Sequence, residues 1–271
     1  MNLRGLSKAL CFTLILGCAL VPAFSQSAPS QPVDKMATLK KARQAYYSLK
    51  EEGFAQFQCA MEPNWEALLA DQRKADPESI DRAVAKLKLI HFVVTVGPDG
   101  AAKVVHSEVQ ADNEQMAKGL AQIYGGMEQM ASGFFQTWSV FVVNPPLPDL
   151  GTEFTLLSDA DYSLTYKDGL TDVSTLMSKE YAVTTLKVTS AEFVSVIRPR
   201  FSKTSKGYLL NAYDADYEGT GGKDKTELHV AIEHQMIGGL QVPKNLNLKG
   251  SYNGSAFQVE VAFTGCSASK H

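Results

Sequence analysis

Asn245-Leu246-Asn247-Leu248-Lys249-Gly250-Ser251-Tyr252-Asn253-Gly254-Ser255-Ala256-Phe257-Gln258-Val259-Glu260-Val261-Ala262-Phe263 decides the fold. Two strand-like runs, 245–252 and 255–263, meet at Asn253-Gly254, a favoured two-residue hairpin turn. Upstream, similar runs rich in Tyr, Val, Thr and Leu recur near 152–157, 161–167, 180–188, 192–198, 206–217 and 226–236. Gly, Asp, Asn and Lys separate them. So many strands at short spacing predict a large antiparallel sheet.

Asn144-Pro145-Pro146-Leu147-Pro148 is the strongest punctuation in the chain, and the sequence before it reads differently. From Met36 to Glu52 apolar residues at Met36, Leu39, Ala42, Tyr46 and Leu49 follow a helical spacing that Gly53 ends. Gly53 to Cys59 reads as a short first strand. Asn64 is placed to cap a helix through Leu69, and Asp76-Pro77 opens another to about Lys86. Leu87–Val96 and Ala101–Val109 form a hairpin around Gly97-Pro98-Asp99-Gly100. From Asp112 to Trp138, Met116, Leu120, Ile123, Met127, Met130, Phe134 and Trp138 recur three or four residues apart. That is an amphipathic helix, weakened by Gly119, Gly125, Gly126 and Gly133. The expected class is α+β: a curved, largely antiparallel sheet with helices packed on it.

Residues 1–25 carry Arg4 and Lys8, then an apolar run from Ala9 to Phe24, with small residues in Ala23-Phe24-Ser25 before Gln26. This pattern predicts a secretory signal peptide, too short for a membrane span. The lesser alternative is lipid anchoring through Cys18, since Ile15-Leu16-Gly17-Cys18 loosely matches a lipobox but lacks a small residue at Leu16. Residues 26–35 read as a flexible leader and 36–271 as a single domain, helix-rich over 36–148 and strand-rich over 149–266. The expected location is the periplasm.

The chain of 271 residues carries 26 basic and 29 acidic side chains. Losing Arg4 and Lys8 with the signal moves the net charge from −3 to −5. That balance argues against nucleic-acid binding, which needs clustered Lys and Arg. With 45% hydrophobic and 20% charged residues, composition is that of an ordinary globular protein. No segment beyond the signal is apolar and long enough to predict a transmembrane helix. Cys11 and Cys18 also leave, so Cys59 and Cys266 are a single possible pair in an oxidising compartment, with two separate thiols as the alternative. A bridge would staple the first strand to the last.

Motifs for catalysis are sparse. There is no Gly-x-Ser-x-Gly, no His-Glu-x-x-His and no phosphate-cradling glycine loop. Ser267-x-x-Lys270 lies at the terminus, where a lysine is poorly desolvated. His229 and His234, an odd number of residues apart on one strand, point to opposite faces. His91 and His106 lie on neighbouring hairpin strands, where they could face each other. Asp214-Ala215-Asp216-Tyr217-Glu218-Gly219 opens like a calcium loop, but Lys225 stands at the twelfth position where Glu is needed, and an acidic hairpin connection explains it better. Asn253-Gly254-Ser255 also forms a glycosylation sequon, though the hairpin accounts for both Asn and Gly. No catalytic residue, metal or cofactor is assigned, and the protein is expected not to be an enzyme. The most suggestive binding feature is the helix stripe Met127, Met130, Phe134, Phe135 and Trp138. Methionine and aromatic side chains make adaptable apolar surfaces, although such a stripe also suits plain core packing.

The order of helix, aromatic strand and successive antiparallel strands resembles the periplasmic lipoprotein-carrier and lipoprotein-sorting superfamily. Glu233-His234-Gln235-Met236-Ile237-Gly238-Gly239-Leu240-Gln241-Val242-Pro243-Lys244 looks like that superfamily's late hairpin, and Gly53–Phe57 like its first strand. The likeness extends in pattern over most of 36–266 and departs from the family in the longer, more helical 60–150 region. The resemblance implies an unclosed half-barrel with helices on its concave face, sheltering an acyl chain. The implied partner is a lipid or an acylated lipoprotein. The rival expectations are a protein-interaction module with a filled core, docking an envelope protein, and an unrecognised hydrolase.

Overall fold

A computed structural model describes residues Asp34–His271. The segment expected to be a signal peptide, with Cys18, and most of the expected leader lie outside the described residues. The chain runs α1 (Lys35–Gln44), β1 (Phe54–Pro63), α2 (Trp65–Leu68), α3 (Ala70–Ala75), α4 (Pro77–Leu87), β2 (Phe92–Val96), β3 (Ala102–His106) and α5 (Glu114–Val142). Nine strands follow: β4 (Phe154–Ser158), β5 (Tyr162–Asp168), β6 (Thr171–Met177), β7 (Val183–Thr189), β8 (Phe193–Thr204), β9 (Gly207–Gly219), β10 (Lys223–Ile237), β11 (Leu240–Tyr252) and β12 (Ser255–Lys270). All twelve strands join one antiparallel, unclosed sheet in the order β3-β2-β1-β12-β11-β10-β9-β8-β7-β6-β5-β4. The large, antiparallel, unclosed sheet agrees with the sequence reading, and the stretch before Pro148 is helix-rich as expected; the long strands β8–β12 make the protein mostly β, so the α+β placement is not confirmed.

Asp34 starts α1 by accepting the backbone N–H of Met36 and Ala37 at 3.0 Å each. The helix was expected to reach Glu52 but stops at Gln44, although Tyr46, Tyr47 and Leu49 are all buried. Their backbone groups find partners elsewhere: Tyr47 N–H bonds the Tyr208 carbonyl at 3.0 Å and Leu49 N–H the Val142 carbonyl at 2.8 Å. Gly207 permits this crossing, because a Cβ there would lie 2.5 Å from the Ala45 carbonyl oxygen. Asn64, Asp76 and Asn113 cap α2, α4 and α5 respectively. The short α3 and the strand β6 are additional to the sequence reading.

At the β11–β12 tip Asn253 and Gly254 both adopt positive φ, 47° and 82°, as a two-residue hairpin of the mirror-image type requires. Further along the same hairpin the last strand meets the first: β12 pairs with β1, and Cys59 and Cys266 are bridged across the pair. The bond spans a register irregularity between Gln58 and Ala60, where Gly265 takes a left-handed conformation.

Two apolar clusters lie under the helices. Leu39, Ala42 and Tyr46 pack with Leu164, Met177 and Val183 beneath α1. The larger cluster gathers Phe135, Trp138 and Phe141 of α5 with buried residues of β1, β2 and β8–β12. Arg43 of α1 clamps the proline-rich linker after α5, its Nη1 donating to the Leu147 and Pro148 carbonyls at 2.9 Å each. Among the described residues, no helix is long and apolar enough to cross a membrane.

The bridge closes a separation of 207 residues, so the double variant Cys59→Ser/Cys266→Ser is expected to lose about 2–5 kcal/mol in urea denaturation. An unchanged midpoint would show that the β1–β12 seam holds without it.

Candidate functional site

The helix α5 has 29 residues and so runs about 43 Å, long enough to lie across many strands. Its apolar side packs on the sheet, and Gly126 and Gly133 leave a gap on one flank. Two clefts lie beside it. The first, about 410 Å³, lies between Gly126, Met130, Gly133 and Phe134 of the helix and Leu228, Leu248 and Phe257 of β10–β12. The second, about 660 Å³, lies between Val140 of the helix and Val173, Leu186, Phe193 and Ile197 of the strands. Both volumes fall within the usual range for small-molecule sites.

Gln136, Thr137 and Tyr217 line both clefts and form the waist between them. Thr137 Oγ1 and the Tyr217 hydroxyl lie 3.1 Å apart in a hydrogen bond that ties α5 to β9. Burial raises the Tyr217 hydroxyl above its ordinary phenol value and pushes the Tyr213 hydroxyl well above it, so both stay neutral. Around the openings, apolar groups meet solvent: Val140 is 41% exposed, Phe193 40%, Tyr252 49% and Phe257 36%. Ser195, 2% exposed, lines the second cleft and stands directly opposite Tyr217 in the β8–β9 pair.

The structure divides the five residues singled out in the sequence. Met130 and Phe134 line the first cleft. Met127, Phe135 and Trp138 do not line either; they are packed core. Phe57 of β1 sits 5.6 Å from the Phe135 ring and 6.0 Å from the Trp138 ring, and Phe263 of β12 sits 5.6 Å from Phe135. The helical repeat of 3.6 residues explains the split, because positions 127, 135, 138 and 141 point at the sheet, 126, 130, 133 and 137 lie along the flank, and the buried Phe134 stands at the boundary between them. Gly126 and Gly133, two turns apart, share that flank. A Cβ at either would meet nothing within 4 Å.

Other residues considered for chemistry take structural places. Asp214 and Asp216 lie within β9 and face Arg200 and Arg198 of β8 at 3.2 and 2.8 Å, so the calcium-like segment is strand rather than loop. His229 stands on that exposed face, its Nδ1 2.6 Å from Asp214 and 3.2 Å from Arg200. His234 is on the opposite, covered face, as the odd spacing requires. His106 stacks on Tyr124 of α5 at 3.8 Å, while His91 precedes β2 and exchanges backbone contacts with Ser107; the two histidines do not pair. Ser267 and Lys270 are exposed on β12. Comparison with protein-family models, curated proteins and solved structures gives no match.

Beneath α5, burial holds the His234 imidazole down to about 4 from an ordinary value of 6.5, and the Trp138 Nε1–H points at its Nε2 at 3.5 Å. The folded state therefore resists a proton that the unfolded chain accepts near pH 6.5. Stability from this site is complete above that pH and falls as pH drops toward about 4, by up to about 3 kcal/mol. Denaturant titrations at pH 7 and pH 4.5 should show a smaller acid loss in His234→Gln than in the parent. An equal loss would place the acid sensitivity elsewhere.

Proposed function

We propose that this protein is a non-enzymatic envelope protein that shelters the acyl chain of a lipid or lipidated protein beside α5. An open sheet of twelve strands twists and curls, which makes it a half-barrel with α5 in its hollow. The observation that carries the reading is the pair of apolar clefts with solvent-exposed apolar rims along that helix. Each methylene moved from water into such a cleft gains about 0.8 kcal/mol, so an acyl chain is a suitable guest. The sequence resemblance to lipoprotein carriers agrees with this arrangement, and the bridged cysteine pair suits an oxidising compartment such as the periplasm.

The glycines supply a second argument. Each glycine inside a helix costs about 1 kcal/mol relative to alanine. At Gly126 and Gly133 the bare backbone widens the first cleft, so their expense has a use at the site. The rival reading, an interaction module with function at its surface, draws on the filled centre of the fold, where Phe135 and Trp138 are fully buried.

Substitution distinguishes the two. Gly126→Leu and Gly133→Leu fill the first cleft without meeting neighbouring atoms at Cβ, and Gly119→Leu on the same helix is the control, since Gly119 does not line it. Affinity for a fluorescent fatty-acyl probe is expected to fall about tenfold or more in the two cleft variants. Thermal stability should be equal or higher, and the control should bind as the parent does. Unchanged affinity in both cleft variants would contradict the proposal.

A further inference from the structure

Three hydroxyls meet at the waist between the clefts: Thr137 Oγ1 lies 3.1 Å from the Tyr217 hydroxyl and also bonds the Tyr213 hydroxyl. Tyr213 and Tyr217 stand four residues apart on β9 and so share the face that α5 covers. Tyr213 is 1% exposed, whereas Thr137 and Tyr217 are half-buried and line both clefts.

Donors and acceptors do not balance there. Each hydroxyl has one O–H to give and two lone pairs to accept with. Two links join the three hydroxyls, so two donors are spent and one remains whichever way they point. Ser195, opposite Tyr217, brings one further donor for one further link and leaves the surplus unchanged. An unspent donor costs least where it meets the cleft, which places it on Thr137 or Tyr217 rather than on the enclosed Tyr213. The rest of the first cleft is uncharged. Gln129, Gln136 and Thr226 stand beside its apolar residues, and among the described residues its lining holds no Asp, Glu, Lys, Arg or His.

We infer that the ligand is an uncharged acyl ester, with its chain in the first cleft and its ester carbonyl accepting the spare hydroxyl at the waist; this rests on the acyl-chain reading above. A carbonyl oxygen takes a donor and brings no charge. A fatty-acid carboxylate would accept the same bond but would lose its hydration in a lining with no cation to pair it. An alkylammonium would leave the spare donor unmet and would itself be a charge without a counter-charge. The ester belongs either to a free glyceride or to an acylated protein.

The test is calorimetric titration of the protein with monododecanoylglycerol, the matching glycerol monododecyl ether and ionised dodecanoate, each below its micelle concentration. The two glycerols differ in the carbonyl alone, so their ratio reads the hydroxyl bond. The ester is expected to bind about fivefold tighter than the ether, and dodecanoate about tenfold weaker than the ester. In Thr137→Val/Tyr217→Phe the ester should fall to the affinity of the ether, whose own binding stays unchanged. An isotopically labelled ester carbonyl should absorb at lower infrared frequency in the parent complex than in hydrocarbon solvent, a reading that does not depend on the variant folding. A neutral peptide bearing the same dodecanoyl ester on a serine assigns the source: tighter binding than the glyceride identifies an acylated protein, and equal or weaker binding identifies a lipid. If the ether or dodecanoate binds as tightly as the ester, or the bound carbonyl is unshifted, the ester inference is overturned while the acyl-chain reading stands. If none of the three binds, both fall.

Discussion

The two free edges of the sheet, β3 and β4, are joined through α5, and the rest of the structure depends on how that helix is buried. A twisted sheet of this width curls, and its covered face must bury the apolar side chains of a dozen strands. α5 supplies that cover. Trp138, Phe135 and Phe141 are fully buried against residues of β1, β2 and β8–β12, and the sheet stays unclosed. Leu49 and Ser48 then reach the carbonyls at the end of α5, and Arg43 fixes the linker beyond it, which anchors the helix to the N-terminal segment.

What the helix does not cover becomes the candidate site. A cylinder laid in a curved sheet touches along one line and leaves troughs on its flanks. A bulky residue on the flank would close the first trough, but Gly126 and Gly133 stand there instead. The Thr137–Tyr217 hydrogen bond fixes the helix against β9 between the two troughs, so their width is set by a specific contact rather than by loose packing. A binding site and a packed core thus coexist on one helix, separated by a third of a turn.

The antiparallel sheet was legible because turn chemistry marks it. Asn253-Gly254 and Gly238-Gly239 each stand between strands that pair as their spacing requires. The strand β6 was not, since Thr175 puts a polar residue in the buried set Val173, Thr175 and Met177 while apolar Leu176 faces outward. Nor was the early end of α1, where tertiary hydrogen bonds to β9 outweigh a good helical spacing. The stripe on α5 was visible, but not its division into core and cleft: periodicity shows which residues are apolar, and only the position of the sheet decides which of them touch it.

Native mass spectrometry of the protein, released gently from the cells that make it and then extracted with solvent, tests the central claim most directly. The account predicts a reproducible adduct of lipid or acyl-group size that extraction removes and added amphiphile restores. A clean apo mass that also resists loading with phospholipid and acylated peptide would contradict it.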